Sequence, residues 1–410
     1  MSKKNTSLEL HVPVPPARPG QSADFSGLVV PAAGSLRRPA CDEAEPELRD
    51  LPYGLLRVLD DDGKAVGPWD PKLEAQPLLD GLRAMMLTRD FDDRLFRIQR
   101  QGKTTFYMKS LGEEAIGAAH SLALGAGDMC FPTYRMLSWL MARRYPLVKL
   151  VNQIFSNAED PLKGRQLPIL YSAKDYGFYS LSGNVGSRFG HAVGWAMASA
   201  YSRDTRIATS FIGDGTTAEG DFHEAMVFAA VYRAPVLLCV TNNQWAISSF
   251  SGIAGAETAP FAAKAIGYGI PGLRVDGNDF LAVWAATQWA AERARTNCGP
   301  TLIEFFTYRA GGHSTSDDPT RYRPADEPER WPLGDPIERL KQHLILRGDW
   351  DEERHAALQA ELAAEVKTAI KAGEAVGTLG QSKPSVREMF EDVFAEPDWR
   401  AIEQRRELGV

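Results

Sequence analysis

Apolar residues recur along this chain with two different periods, and the switch between them sketches the fold. From Pro77 the spacing is helical: Leu78, Leu82, Met85, Met86, Phe91, Leu95 and Phe96 form one stripe, and Gly102 supplies a stop. A second apolar helix is expected over GEEAIGAAHSLAL, closed by Gly125 and Gly127. Short continuous apolar runs then take over, at residues 206–212 (RIATSFI), 235–241 (PVLLCVT) and 301–308 (TLIEFFTY). Such runs suit strands buried on both faces. Between the first two lies GDFHEAMVFAAVYR, residues 220–233, at helical spacing. Strand, helix and strand in so short a stretch make a βαβ unit with a right-handed crossover. The expected fold is α/β: a doubly wound, mostly parallel sheet with helices on both faces.

The two ends read differently. Residues 1–75 are rich in Pro (HVPVPPARPG, VVPAAGSLRRP) and lack helical periodicity, apart from a turn at Asp60-Asp61-Asp62-Gly63. An extended arm is expected there, ordered against another surface and serving as a strap over neighbouring subunits. An α/β domain follows over 76–330, and 331–410 is helical. In that last region Leu358, Leu362, Val366 and Ile370 recur every four residues, and Pro384 precedes a final short helix at 386–394.

Composition narrows the class. The net charge is −7 over 410 residues, which argues against a nucleic-acid partner, since phosphates need a basic face. No apolar run approaches the roughly 20 residues that span a bilayer. The start, MSKKNTSLELHVPVPP, has neither an apolar signal core nor an Arg-rich amphipathic helix, so a cytoplasmic protein is expected. Cys41, Cys130, Cys239 and Cys298 are far apart and form no CxxC pair. They read as reduced thiols, without a zinc site.

The chemistry concentrates between Gly213 and Ser248, GDGTTAEGDFHEAMVFAAVYRAPVLLCVTNNQWAIS. Gly-Asp-Gly closes one strand and Asn242-Asn243 closes the next, and ligands of doubly wound sheets bind at such strand ends. Magnesium takes oxygen ligands, a few from protein and the rest from phosphate and water. Asp214 offers a carboxylate oxygen, Asn243 an amide oxygen, and Trp245 a backbone carbonyl. Gly213 and Gly215 let the backbone approach a ligand closely. A helix opening near Gly220 would aim free N–H groups at a diphosphate. Asp-Gly alone is usually a turn and Asn-Asn usually a loop; the combination at neighbouring strand ends is what points to a site.

This block resembles the thiamine-diphosphate motif shared by transketolase, pyruvate decarboxylase and the 2-oxoacid dehydrogenases, which begins GDG and ends NN. The fold implied is the diphosphate-binding type of the thiamine-diphosphate-binding fold. EGDFHEAM, NNQWAIS, Phe131-Pro-Thr-Tyr-Arg135, Gly190-His-Ala-Val-Gly194 and the segment from Tyr308 to Asp318 (YRAGGHSTSDD) are similar to the alpha subunits of heterotetrameric 2-oxoacid dehydrogenase first components. The tail, Pro384 to Val393, resembles that of branched-chain members. The likeness covers about residues 77–400. It implies cofactor contacts from Tyr134 and Arg135 (diphosphate), from Gly183 and Val185 (middle of the cofactor), and from Gly213, Asp214, Gly215, Thr216, Asn243, Ala246 and Ile247.

In the family, the histidine matching His313 contacts diphosphate and substrate and assists reductive acylation, so His313 is the catalytic candidate. Ser314 and Ser316 match a regulatory phosphorylation loop of animal enzymes, though a polar ordered loop is the plainer reading. Arg309 and Tyr322 are expected to order that loop. Asn184 and Arg188 depart from the potassium-binding loop of the animal enzymes, so no monovalent ion is implied. His120, His191 and His223 read as core or supporting residues, and Glu219 as structural support. The implied cofactors are thiamine diphosphate and Mg2+. The implied partners are a beta subunit in an α2β2 assembly, which carries the activating glutamate, and a lipoyl-bearing acyltransferase core. Branched-chain 2-oxoacids are the substrates expected, with pyruvate or acetoin as alternatives. A nicotinamide-binding oxidoreductase would need Gly-x-Gly-x-x-Gly after its first strand, which is absent. A non-catalytic scaffold would not need to keep Asp214, Asn243, Arg135 and His313 intact.

Overall fold

Five short apolar segments pair into one sheet, and their sequence explains why it is parallel and buried. The computed structural model describes residues 9–381, 385–391 and 394–410; the N-terminal residues before Glu9, the break at Pro384 and the Asp392–Val393 end of the tail signature lie outside the described residues. Strands β1 (Met129–Phe131), β2 (Ala208–Gly213) and β3 (Val236–Asn242) are joined by β6 (Gly272–Asp276) and β7 (Thr301–Phe306). The order is β1-β2-β3-β7-β6 and every pairing is parallel. A two-residue hairpin, β4 (Trp245–Ala246) with β5 (Ser249–Phe250), follows β3.

Successive side chains of a strand point to opposite faces, and both faces here meet helices. Phe211, Leu237, Cys239, Val275, Ile303 and Phe305 belong to one core, with helices α1 (Ala75–Arg100), α2 (Glu114–Ala123), α3 (Leu137–Ala142), α4 (Leu147–Phe155) and α7 (Phe280–Arg295). Ala208, Ile212, Val236, Leu238 and Val240 face the other, with α5 (Ser187–Tyr201) and α6 (Gly220–Tyr232). The crossover through α6 runs one way along the sheet and that through α7 runs back. Their helices lie on opposite faces, as one constant crossover hand demands. Helices α8 (Pro336–Arg347) and α9 (Glu352–Val376) pack on α1, and α10 (Trp399–Glu407) ends the chain.

The helical stripe of α1 and the fourfold spacing of α9, with Leu362, Val366 and Ile370 buried, are as expected. Gly102 stops α1 with φ +74. Several expectations are corrected. Gly125 and Gly127 do not cap α2. The helix ends at an extended Leu124, and the Arg143 guanidinium takes up the carbonyls of Ser121, Leu124 and Gly125. Of the final helix expected over 386–394, the described residues form a 3-10 turn at Val386–Met389. His191 and His223 are exposed rather than core.

The later part of the arm finds its surface on this chain. Leu48, Leu51, Leu56, Val58, Leu59 and Trp69 are buried in this chain's own core. Leu56 pairs with the edge of β6 through Leu56 N to Arg274 O and Asp276 N to Leu56 O. Asp279 then joins arm to helix. One carboxylate oxygen caps α7 by accepting from Leu281 N and Ala282 N. The other accepts from Val58 N at 2.8 Å and Leu59 N at 2.6 Å. A fully buried carboxylate with four backbone donors is a strong tie.

His120, fully buried on α2, is a core histidine. The Thr287 hydroxyl donates its one hydrogen to Val283 O, so at its 2.8 Å contact with His120 it accepts from Nδ1–H. Nε2 is left to accept from Thr209 Oγ1 at 2.9 Å. Burial and the Arg143 charge push the imidazole from 6.5 down to about 3. It therefore stays neutral when folded but gains a proton when unfolded below pH 6.5, so its contribution to stability is lost as pH falls. The stability gap between wild type and His120→Gln should shrink by about 1.4 kcal/mol per pH unit below that point. Chemical denaturation from pH 7 to 5 tests this, and a gap independent of pH would sink it.

Candidate functional site

The carboxyl ends of β2 and β3 open into a cavity of about 490 Å³. Every residue the sequence marked for cofactor or metal lines it: Tyr134, Arg135, Gly183, Val185, Gly213, Asp214, Gly215, Thr216, Asn243, Trp245, Ala246, Ile247 and His313. They arrive from five separate stretches of chain, brought together by strand order.

Asp214 follows β2 directly. Its Oδ1 accepts from Gly215 N at 2.9 Å, whereas Oδ2 is buried without any hydrogen-bond partner. Burial, with Glu113 nearby, raises this carboxyl to about 7 against the pull of Gly215 N–H and Arg309. A buried carboxylate oxygen with no donor is costly unless a cation meets it. Asn243 stands just past β3. Its Nδ2 donates to Glu113 Oε1 at 2.7 Å, and Oδ1 faces Trp245 N at 3.3 Å. Among the described residues no group of three His, Cys, Asp or Glu side chains could hold a metal. Any cation here would rest on one carboxylate, an amide and backbone, which is magnesium-like rather than zinc-like chemistry.

The hairpin after Asn243 closes the cavity tightly. A Cβ on Gly215 would meet Ala246 Cβ at 2.6 Å, so only glycine fits beneath the hairpin. Gly213 faces no such limit: a Cβ there would meet nothing within 4 Å. Ile247 adopts φ +56, strained for a β-branched residue. Arg309 holds it, donating from Nη2 to Ile247 O and from Nη1 to Trp245 O, each at 2.7 Å. The Trp245 carbonyl expected to meet a metal thus already accepts from Arg309, and one lone pair remains. The helix starts at Gly220 as expected, but its first turn does not reach the cavity. A 3-10 turn, Gly215–Ala218, intervenes with Asp214 as its cap, and Gly215 and Thr216 line the cavity in place of Gly220.

The opposite wall is cationic. Arg135 and Arg309 are 4% and 1% exposed, and two buried guanidiniums suit a diphosphate. Arg135 donates to His313 O at 2.6 Å and approaches His313 Nδ1 at 3.3 Å. Burial and the charges of Arg135 and Arg309 push His313 down to about 4, against Asp317, so the ring is neutral near pH 7. Its loop is held as expected: Asp317 Oδ2 accepts from His313 N at 2.6 Å and from Tyr322 OH at 2.7 Å, while Arg309 donates to Tyr322 OH at 2.7 Å. Ser314 is buried and Ser316 exposed. Val185 and Ile247 are 56% and 55% exposed, an apolar rim open to solvent.

Glu113 was missed by sequence reasoning. Burial raises its carboxyl, opposed by Arg135 and the Asn243 hydrogen bond. The available signal was two adjacent acids opening an otherwise apolar helix, where buried carboxylates are rare without partners. Arg188 and Glu219 also line the cavity.

Comparison with known proteins fits this geometry. The family model described as dehydrogenase E1 component matches residues 82–381. A second, the 2-oxoisovalerate dehydrogenase E1 alpha subunit N terminal, matches residues 6–46. The chain is 59% identical over 404 residues to a 2-oxoisovalerate dehydrogenase subunit alpha of Pseudomonas aeruginosa, covering 98% of each. It is 37% identical to the mitochondrial subunit alpha of Mus musculus, over 87% of this chain and 79% of that one. For subunit alpha 1 of Arabidopsis thaliana the identity is 38%, over 89% and 76%. The first match runs through every strand of the main sheet and the whole cavity, and the protein belongs to the dehydrogenase E1 component family.

Proposed function

We propose that this chain is the thiamine-diphosphate-binding alpha subunit of a branched-chain 2-oxoacid dehydrogenase. With a beta subunit it decarboxylates 3-methyl-2-oxobutanoate and its relatives and passes the acyl group to a lipoyl-bearing acyltransferase core. The bare Asp214 Oδ2 at a strand end, in a cavity shared with two buried arginines, carries this reading. The substrate class follows the names of the relatives, all 2-oxoisovalerate dehydrogenase alpha subunits.

Asp214 Oδ2, Asn243 Oδ1 and the free lone pair of the Trp245 carbonyl would hold Mg2+. Arg135, Tyr134 and His313 would take the diphosphate. Gly183, Val185, Gly213, Gly215, Thr216, Ala246 and Ile247 would wall the cofactor. When bound, thiamine diphosphate supplies an electron sink for the pair released as carbon dioxide leaves. His313, neutral beside two arginines, is placed to donate to an anionic group or take up a proton from substrate.

An assembly is supported by surface that this chain leaves uncovered. Helix α6 is apolar on its outer side as well, with Val227, Phe228, Val231 and Tyr232 47–69% exposed. A helix apolar all round belongs in an interior, and the apolar cavity rim asks for a wall from another chain. Among the described residues no helix is long and apolar enough to cross a membrane.

Asp214→Asn keeps the acceptor for Gly215 N but removes a buried charge. Its cofactor-free melting temperature should equal or exceed wild type, while the rise on adding thiamine diphosphate and Mg2+ disappears; a retained rise would remove Asp214 from the site. His313→Ala should weaken cofactor affinity, measured by calorimetry, less than it lowers overall complex turnover, which should fall by about 10²-fold or more; an unaltered rate would end its assigned role. Expressed alone, the chain should not decarboxylate. Reconstituted with its beta subunit, it should turn over 3-methyl-2-oxobutanoate faster than pyruvate, and the reverse preference would refute the substrate assignment.

A further inference from the structure

Glu113 precedes α2, where an acidic side chain can turn back to bond the free N–H groups of its own helix. It forms no such bond. The carboxylate, 5% exposed, crosses instead to the cavity, where Oε1 accepts from Asn243 Nδ2 at 2.7 Å and lies 3.6 Å from Arg135 Nε. The neighbouring Glu114 serves the local chain, accepting from Gly112 N at 2.9 Å and from Arg89 Nε at 2.8 Å. Two adjacent buried acids thus have separate tasks, one local and one reaching a residue on another strand end.

A primary amide has two ends of nearly equal shape and opposite character, and only its partners decide which faces where. A carboxylate accepts and cannot donate, so Glu113 Oε1 holds Nδ2 and repels Oδ1. Oδ1 is thereby turned away from Glu113, with a single long contact from Trp245 N at 3.3 Å. The same carboxylate flanks Arg135, whose Nη2 is tied to His313 O. One buried acid therefore touches both the amide and the guanidinium of the site.

We propose that Glu113 is a positioning residue, which by holding Asn243 Nδ2 presents the amide oxygen to the divalent cation and keeps Arg135 in place for the diphosphate. This rests on the magnesium and thiamine-diphosphate reading of the cavity. Its action is through Asn243 and Arg135, without contact with substrate. Outer partners that orient metal ligands in this way commonly matter about 10- to 100-fold in metal affinity.

The test is a Mg2+ titration of the assembled enzyme in the presence of thiamine diphosphate, followed by calorimetry and by melting temperature. Glu113→Gln has the same shape but can donate, so Asn243 loses its fixed orientation. Mg2+ affinity should fall about 10- to 100-fold, with the cofactor-free melting temperature little changed. Asn243→Asp alone sets carboxylate against carboxylate and should also weaken binding. The pair Glu113→Gln with Asn243→Asp offers an oxygen whichever way residue 243 turns, and a donor beside it, so its affinity should exceed that of either single variant. Unchanged affinity in Glu113→Gln, or a pair weaker than both singles, overturns the proposal. Should Glu113→Gln also melt early, the pair still decides on the same terms. A wild-type enzyme without Mg2+-dependent cofactor binding would overturn the site assignment instead.

Discussion

The buried carboxylate oxygen Asp214 Oδ2 lacks any donor, and the arrangement around it follows from that deficit. Desolvating a carboxylate is expensive unless something positive meets it. Here the neighbouring cations are directed elsewhere. Arg309 is tied to the Trp245 and Ile247 carbonyls, and Arg135 to His313 O. The protein therefore keeps an unmet demand for charge at one point and two guanidiniums beside it, a pattern suited to a metal that brings its own anion.

The sheet determines where that demand can sit. Its strands are buried on both faces, so a polar cavity opens past the strand tips. Adjacent parallel strands end side by side, Gly213 opposite Thr241. Residues 29 positions apart in sequence, Asp214 and Asn243, consequently share one cavity. The hairpin folded over Gly215 and the strained Ile247 show a loop shaped by the site rather than by its own preferences.

Long periodic elements and the strand-end motif were legible in the sequence: α1, α9, β2, α6 and β3 appear close to where periodicity put them. What escaped was short or mixed. β1 has three residues, and β6 interrupts its apolar pattern with Arg274, so neither forms a recognisable run. In the arm, the prolines suggest an extended segment, but nothing in the pattern shows that the isolated leucines from Leu48 onward fill the core beside α1 and α7. For the site, the resemblance named residues that the cavity gathers, but not the acid behind them. Glu113 lies 130 residues from Asn243, and no local pattern encodes a contact made only by folding.

The Asp279 carboxylate grips α7 with one oxygen and the backbone at Val58 and Leu59 with the other. An N-terminal segment and an interior helix are thus latched by a single side chain. Opening at the segment exposes the helix start, and fraying of the helix start frees the segment, so the two melt as one cooperative unit despite their distance along the chain. Proteolysis or truncation near residue 58 would then be felt beneath the sheet and not merely at the surface.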